Sequence, residues 1–97
     1  MVIANLAIFP TSEGASVSRY VKKVIQIIQE SGLNYQTGGM STTIEAPDLK
    51  SLFEVIEKAH NTLIDQGVKR IHMDLQIDHR LDKNASIASK LKSLNEK

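Results

Sequence analysis

The run RIHMDLQID, residues 70–78, sets Ile71, Met73, Leu75 and Ile77 at every second position, with His72, Asp74, Gln76 and Asp78 between them. A period of two sends alternate side chains to opposite faces, so this run reads as a strand with one apolar and one polar side. Such a strand suits an antiparallel sheet that carries its helices on a single face. The rest of the chain must supply that cover.

It does so in a recognisable order. Residues 2–9, VIANLAIF, form a β-rich run closed by Pro10, whose missing N–H suits a strand end. If Val2, Ala4, Leu6 and Ile8 face the helices, Ile3, Ala7 and Phe9 fall on the other side, and a strand apolar on both faces is a first sign of oligomerisation. After the polar stretch TSEGAS, the spacing of Val17, Tyr20 or Val21, Val24 and Ile28 predicts a helix over 16–31, with Ser16 as candidate N-cap and Gly32 as the glycine beyond its end. LNYQT reads as a second strand, Gly38 and Gly39 as a turn, and MSTTIE as a third strand completing a hairpin. Pro47 and Asp48 open a second helix with a stripe of Leu52, Phe53, Ile56, Ala59, Leu63 and Ile64, and Gly67 ends it.

A weaker stripe of Ile87, Leu91 and Leu94 predicts a short C-terminal helix, packed on its own or a neighbouring subunit. The order β-α-β-β-α-β defines a ferredoxin-like α+β fold: a four-stranded antiparallel sheet with two helices on one face and an extra C-terminal helix, all in one domain over residues 1–97.

Composition narrows the function classes. Twelve Lys and Arg against 11 Asp and Glu leave a formal charge of +1, which gives no basic field for nucleic acid. Cysteine is absent, so disulfide scaffolds, thiol catalysis and Cys-based zinc sites drop out together, in keeping with a cytoplasmic location. The N-terminal apolar run has no basic start, stops at Pro10 and is too short to cross a bilayer, and is expected to be a strand and not a signal or membrane anchor.

Catalytic constellations are sparse. His60, His72 and His79 share no metal-ligand spacing. IDHRLDK packs Asp78, His79, Arg80, Asp82 and Lys83 into one strand exit. There, catalysis by Asp78 orienting His79 competes with a solvated loop whose opposite charges pair. Ser12, Ser16 and Ser18 suit capping and turns, the alternative being hydroxyls and free amides offered to a ligand at the helix start. Tyr20 suits the core and Met40 a packing gap, the alternative for each being a ligand surface. In the third strand, alternation puts Met40, Thr42 and Ile44 on one face and Ser41, Thr43 and Glu45 on the other. Thr42 is then a hydroxyl among apolar residues, and leaving it unbonded would cost roughly 1–3 kcal/mol. It is either a β-branched strand former or the polar wall of a pocket.

Three segments, IFPTSEGASVSRYV, GGMSTTIEAPD and IDHRLDK, together resemble the small thiamine-binding domain family in the same order and over nearly the whole chain. Its pattern differs here at Gly39, Ser41, Ala46 and Asn84, where proline, glycine, glycine and proline are usual. The first two flank Met40. The resemblance implies a non-enzymatic, cofactor-free cytoplasmic protein that binds thiamine or its hydroxymethylpyrimidine moiety and assembles as a homotetramer through sheet-to-sheet dimers. Under that expectation Thr42 and a backbone group near Ser16 or Ser18 meet the pyrimidine edge, Met40 and Tyr20 form the slot, and Glu45 or Asp78 faces the thiazolium cation. Because Glu45 and Thr42 alternate, both reach one ligand only at a subunit junction or a bulge. The competing expectation is an oligomeric structural or regulatory module with no small-molecule ligand.

Overall fold

The computed structural model describes residues 1–14 and 17–95. Among them the chain forms, in order, β1 (Val2–Pro10), α1 (Ser18–Glu30), β2 (Asn34–Thr37), β3 (Thr42–Ala46), α2 (Leu49–Asp65), β4 (Ile71–His79) and α3 (Ile87–Asn95). The sheet order is β2-β3-β1-β4 with every neighbouring pair antiparallel. This is the expected ferredoxin-like α+β fold, with the extra C-terminal helix in place.

Alternation in β1 organises the interior. Val2, Ala4, Leu6 and Ile8 are buried against Tyr20, Val24 and Ile28 of α1 and against Leu52, Ile56, Ala59 and Leu63 of α2. On β3, Thr42, Ile44 and Ala46 turn inwards and Thr43 and Glu45 outwards. The buried side of α2 is rotated from the expected stripe: Val55 joins it, whereas Phe53 and Ile64 remain 47% and 49% exposed. The rotation follows from α1 packing along one flank of α2, where Ile27, Leu33 and Val55 line a shared groove. Among the described residues no helix packs on the opposite flank.

The helix ends are chemically specified. Asp48 extends at the start of α2 and its Oδ1 accepts the Ser51 amide at 2.7 Å, a bond that holds the Asp48 carboxyl below its ordinary pKa. At the other end Gly67 has φ +81°, and the Gly67 and Val68 amides return to the Ile64 and Leu63 carbonyls. For α1, Val17 occupies the cap position without a side-chain bond. The expected cap Ser16 lies outside the described residues.

The second face of β1 is covered from within the chain. Ile3 stands in register between Glu45 and Asp78. Glu45 Oε2 accepts the Ile87 amide at 3.1 Å, and Lys90 Nζ bonds Asp78 at 2.6 Å. Both carboxylates thus hold α3 over Ile3, which is buried, while Ala7 and Phe9 further along stay half-buried.

Replacing Asp48 by Ala removes the side-chain partner of the Ser51 amide at this helix start. The variant is expected to unfold at a lower urea midpoint at pH 7, as loss of a helix cap requires. Because the carboxyl titrates below its unfolded value, its contribution is complete above pH ~4 and disappears as pH falls through the folded pKa, so the Asp48→Ala penalty shrinks in acid.

Candidate functional site

A cleft opens where the inner face of α1 leaves the β2–β3 hairpin. Its volume is about 210 Å³, with β1 from Leu6 to Phe9 as floor, Val21, Val24, Ile25 and Ile28 as one wall, and Thr37 to Thr42 as the other. The hairpin wall is set by register. Thr37 pairs with Thr42 at the end of the β2–β3 ladder, and the Gly38 amide reaches the Ser41 carbonyl at 2.8 Å to close the turn. Thr42 also pairs with Leu6, so its side chain belongs to the helix-facing side and is only 7% exposed.

The lining is chemically simple. Among the described residues that form it none carries a charge, and its side-chain polarity comes from the hydroxyls of Thr37, Ser41 and Thr42 beside the backbone of Gly38 and Gly39. Apolar walls with a few hydroxyl and amide groups at one end suit a small, flat, neutral molecule with a hydrogen-bonding edge.

Of the residues expected at the site, the structure brings Met40 and Thr42 together at this cleft. Met40 arrives differently from expectation. The third strand begins at Thr42 and not at Met40, so alternation does not apply to Met40, which sits in the turn, 93% exposed, at the cleft mouth.

The other expected residues lie elsewhere. Tyr20 is a core residue whose hydroxyl bonds Glu13 Oε1 at 3.0 Å while the Arg19 guanidinium lies 4.6 Å over its ring. Ser18 is exposed at the first residue of α1, and Ser16 is outside the described residues. Glu45 and Asp78 are on the far side of the sheet, engaged with α3 as described. The thiazolium role expected of either is therefore not met at this cleft within one subunit: pleating points them away from Thr42.

The strand exit after β4 is ion-paired. Arg80 binds Asp82 through two hydrogen bonds, and that contact holds the Asp82 carboxyl below its ordinary pKa. Asp78 pairs with Ile3 and His79 with Val2, so alternation sends their side chains to opposite faces, in keeping with the ion-paired alternative and not with the one in which Asp78 orients His79. His72 Nε2 instead contacts Asp74 at 3.0 Å, and no group of three potential metal ligands occurs among the described residues.

Sequence reasoning missed Val21 and Ile25 as cleft residues, although the signal was there. Helix α1 carries Tyr20, Val21, Val24, Ile25, Ile27 and Ile28, more apolar positions than one sheet-facing stripe requires. The surplus flank forms the cleft wall. Thr37 was legible through its hairpin partner Thr42.

Fold and cleft together define a ferredoxin-like domain with an uncharged pocket between its first helix and its hairpin. The chain belongs to the thiamine-binding protein family, whose sequence model matches residues 4–95. It is 39% identical over 95 residues to a UPF0045 protein of Methanocaldococcus jannaschii, covering 98% of this chain and 93% of that protein. A Bacillus subtilis UPF0045 protein is 37% identical over 100 residues, covering 98% and 95%. A crystal structure from Methanocaldococcus jannaschii superposes with a TM-score of 0.89 at 38% identity, over 97% of this chain and 95% of that one. At 22% identity and a TM-score of 0.82, a Thermotoga maritima structure shares the fold over 96% of this chain and 97% of its own; its description proposes a role in thiamine biosynthesis or salvage.

Two outcomes follow from these contacts. Gly39 has neither a left-handed backbone nor any atom within 4 Å of an added Cβ. Gly39→Ala is therefore expected to raise stability by about 0.4–1 kcal/mol, measured by urea denaturation, through a less flexible unfolded chain. The Lys90 ammonium holds the Asp78 carboxyl below its ordinary range, so the pair is intact above pH ~4 and is lost as pH falls through the folded pKa. Lys90→Met should lower amide protection in α3 at pH 7 with little change in the main unfolding transition, as exchange NMR would register.

Proposed function

We propose that this protein is a non-catalytic cytoplasmic binder of thiamine or its hydroxymethylpyrimidine moiety, and that the cleft between α1 and the β2–β3 hairpin receives the pyrimidine ring. The observation that carries this reading is the uncharged cleft with Thr42 in its wall, in a chain of the thiamine-binding family. The description of the Thermotoga maritima structure supports the same class of ligand.

Size and charge favour the pyrimidine half over the whole vitamin. At about 210 Å³ the cleft lies below the ~300–1,000 Å³ typical of sites that bury drug-sized ligands, so one ring suits it better than two joined rings. A thiazolium would enter an apolar pocket without a counter-charge, which is costly. A neutral aminopyrimidine asks only for a donor–acceptor edge, which hydroxyls and backbone groups at the hairpin end provide. Binding at this cleft leaves any thiazolium at the mouth beside exposed Met40.

The reading includes assembly from identical subunits as a homotetramer, a dimer of dimers. The half-buried Ala7 and Phe9 on the sheet face left partly open by α3 support self-association. The same feature fits the competing reading of an interaction module without a ligand.

Calorimetric titration with hydroxymethylpyrimidine and with thiamine separates these readings. Hydroxymethylpyrimidine is expected to bind the more tightly of the two, and ligand at 100 times Kd should stabilise the fold by about 2.7 kcal/mol. Thr42→Val keeps the side-chain shape and removes the hydroxyl. It should weaken binding roughly 2- to 13-fold, the equivalent of about 0.5–1.5 kcal/mol, without loss of the fold. Absence of heat and of thermal stabilisation at millimolar ligand would exclude the binding role.

A further inference from the structure

A second cavity opens between the strand exit after β4 and the side of α3. It measures about 480 Å³, against about 210 Å³ for the cleft, and the two share no lining residue. That volume falls within the ~300–1,000 Å³ of sites that take small organic ligands. The chain as a whole is close to neutral, at +1, yet Arg80, Lys83 and Lys90 all line this cavity and no carboxylate does among the described residues.

Carboxylates do pair with two of these cations, but from outside the cavity wall. Asp82 accepts from Nε and Nη2 of Arg80, and Asp78 accepts from the Lys90 ammonium at 2.6 Å. A guanidinium carries five N–H groups and an ammonium three, so three stay free on Arg80 and two on Lys90. The exposed Lys83 ammonium acts on Asp82 only at a distance and makes no hydrogen bond among the described residues. Asn84 adds an NH2 group, its carbonyl oxygen being taken by the Met1 ammonium at 3.0 Å, whereas the Ser89 hydroxyl is already engaged with Ser86 at the start of α3. The wall is rich in donors and short of acceptors.

We infer that this cavity binds the phosphoryl group of a small phosphomonoester. A carboxylate is met best by a guanidinium fork, and Asp82 already occupies the fork of Arg80. A phosphomonoester brings three acceptor oxygens in a tetrahedral array and a charge of about −1.5 to −2 at neutral pH, enough to address cations that arrive from separate directions. Arg80 and Lys83 arrive from the strand exit and Lys90 from α3. The space beyond one phosphoryl group, bordered by the exposed Leu94, suits an organic remainder of about one ring. Bound there, the ester bridges α3 to the strand exit.

This inference rests neither on pyrimidine binding nor on assembly. Amide-resolved NMR titration of the wild-type protein tests it, with ribose 5-phosphate, inorganic phosphate and ribose as probes and potassium chloride at matched ionic strength as control. Ribose 5-phosphate is expected to give saturable shifts confined to residues 80–94, inorganic phosphate the same shifts with weaker binding, and ribose and chloride none. Amides of the cleft should stay in place. Lys83→Ala should weaken ribose 5-phosphate binding roughly 3- to 10-fold, the lower part of what a charge-assisted hydrogen bond contributes once solvent screens it. Lys58→Ala removes the same charge from α2, on the opposite face of the sheet from α3, and should leave binding unchanged. Amide exchange in α3 should slow at saturation, because the ester binds only the docked helix. Shifts that do not saturate, that chloride reproduces, or that both lysine variants weaken equally would overturn the site. Inorganic phosphate binding as tightly as the ester would overturn the organic remainder, and unchanged α3 exchange at saturation would overturn the bridge.

Discussion

The double pairing of β1 is the constraint from which the remainder follows. This strand is bonded to β3 on one side and β4 on the other, over five and nine residue pairs respectively. Over residues 2–6 the strand therefore has no free backbone edge, and beyond them its β3 side borders the cleft. Its inward residues set the plane on which both helices rest. Its outward Ile3 forces a third helix to lie across the far face, because an aliphatic side chain left in water there would forfeit about 1.5–3 kcal/mol of burial. The register with β3 also fixes where Thr42 stands, and that register carries the cleft.

Carboxylates supply the attachment that apolar packing alone does not specify. Glu45 and Asp78 bracket Ile3 on neighbouring strands and each bonds one point of α3, its first amide and the Lys90 ammonium. These pairs lie near solvent, where the energy of each is small. Their service is to orientation: two anchors on one short helix define both its position and its direction, where Ile87 alone would permit rotation.

The fold was legible in the sequence to the extent that periodicity decides it. Strand alternation in β1 and β4, the Asp48 cap and the Gly67 stop all stand where the residues placed them. The cleft was legible in part. Thr42 followed from strand parity, but Met40 did not, because the first bonded pair of β3 comes two residues later and a turn obeys no alternation. Glu45 and Asp78 looked available to a ligand because their partner, Lys90 or the Ile87 amide, is 12 or 42 residues away in sequence, and no local spacing reports such a contact. The rotation of α2 was hidden for a similar reason. A helical stripe gives the apolar arc, but which of its margins is buried depends on the side from which α1 approaches.

The cleft is walled entirely by residues between Leu6 and Thr42, whereas the exposed flank of α2, with Phe53 and Ile64, comes from the second half of the chain. Cleft lining and helix flank thus draw on separate stretches of a short chain. A substitution at Phe53 or Ile64 leaves every cleft residue chemically untouched, so the outer surface of α2 is free to change without altering what the cleft presents.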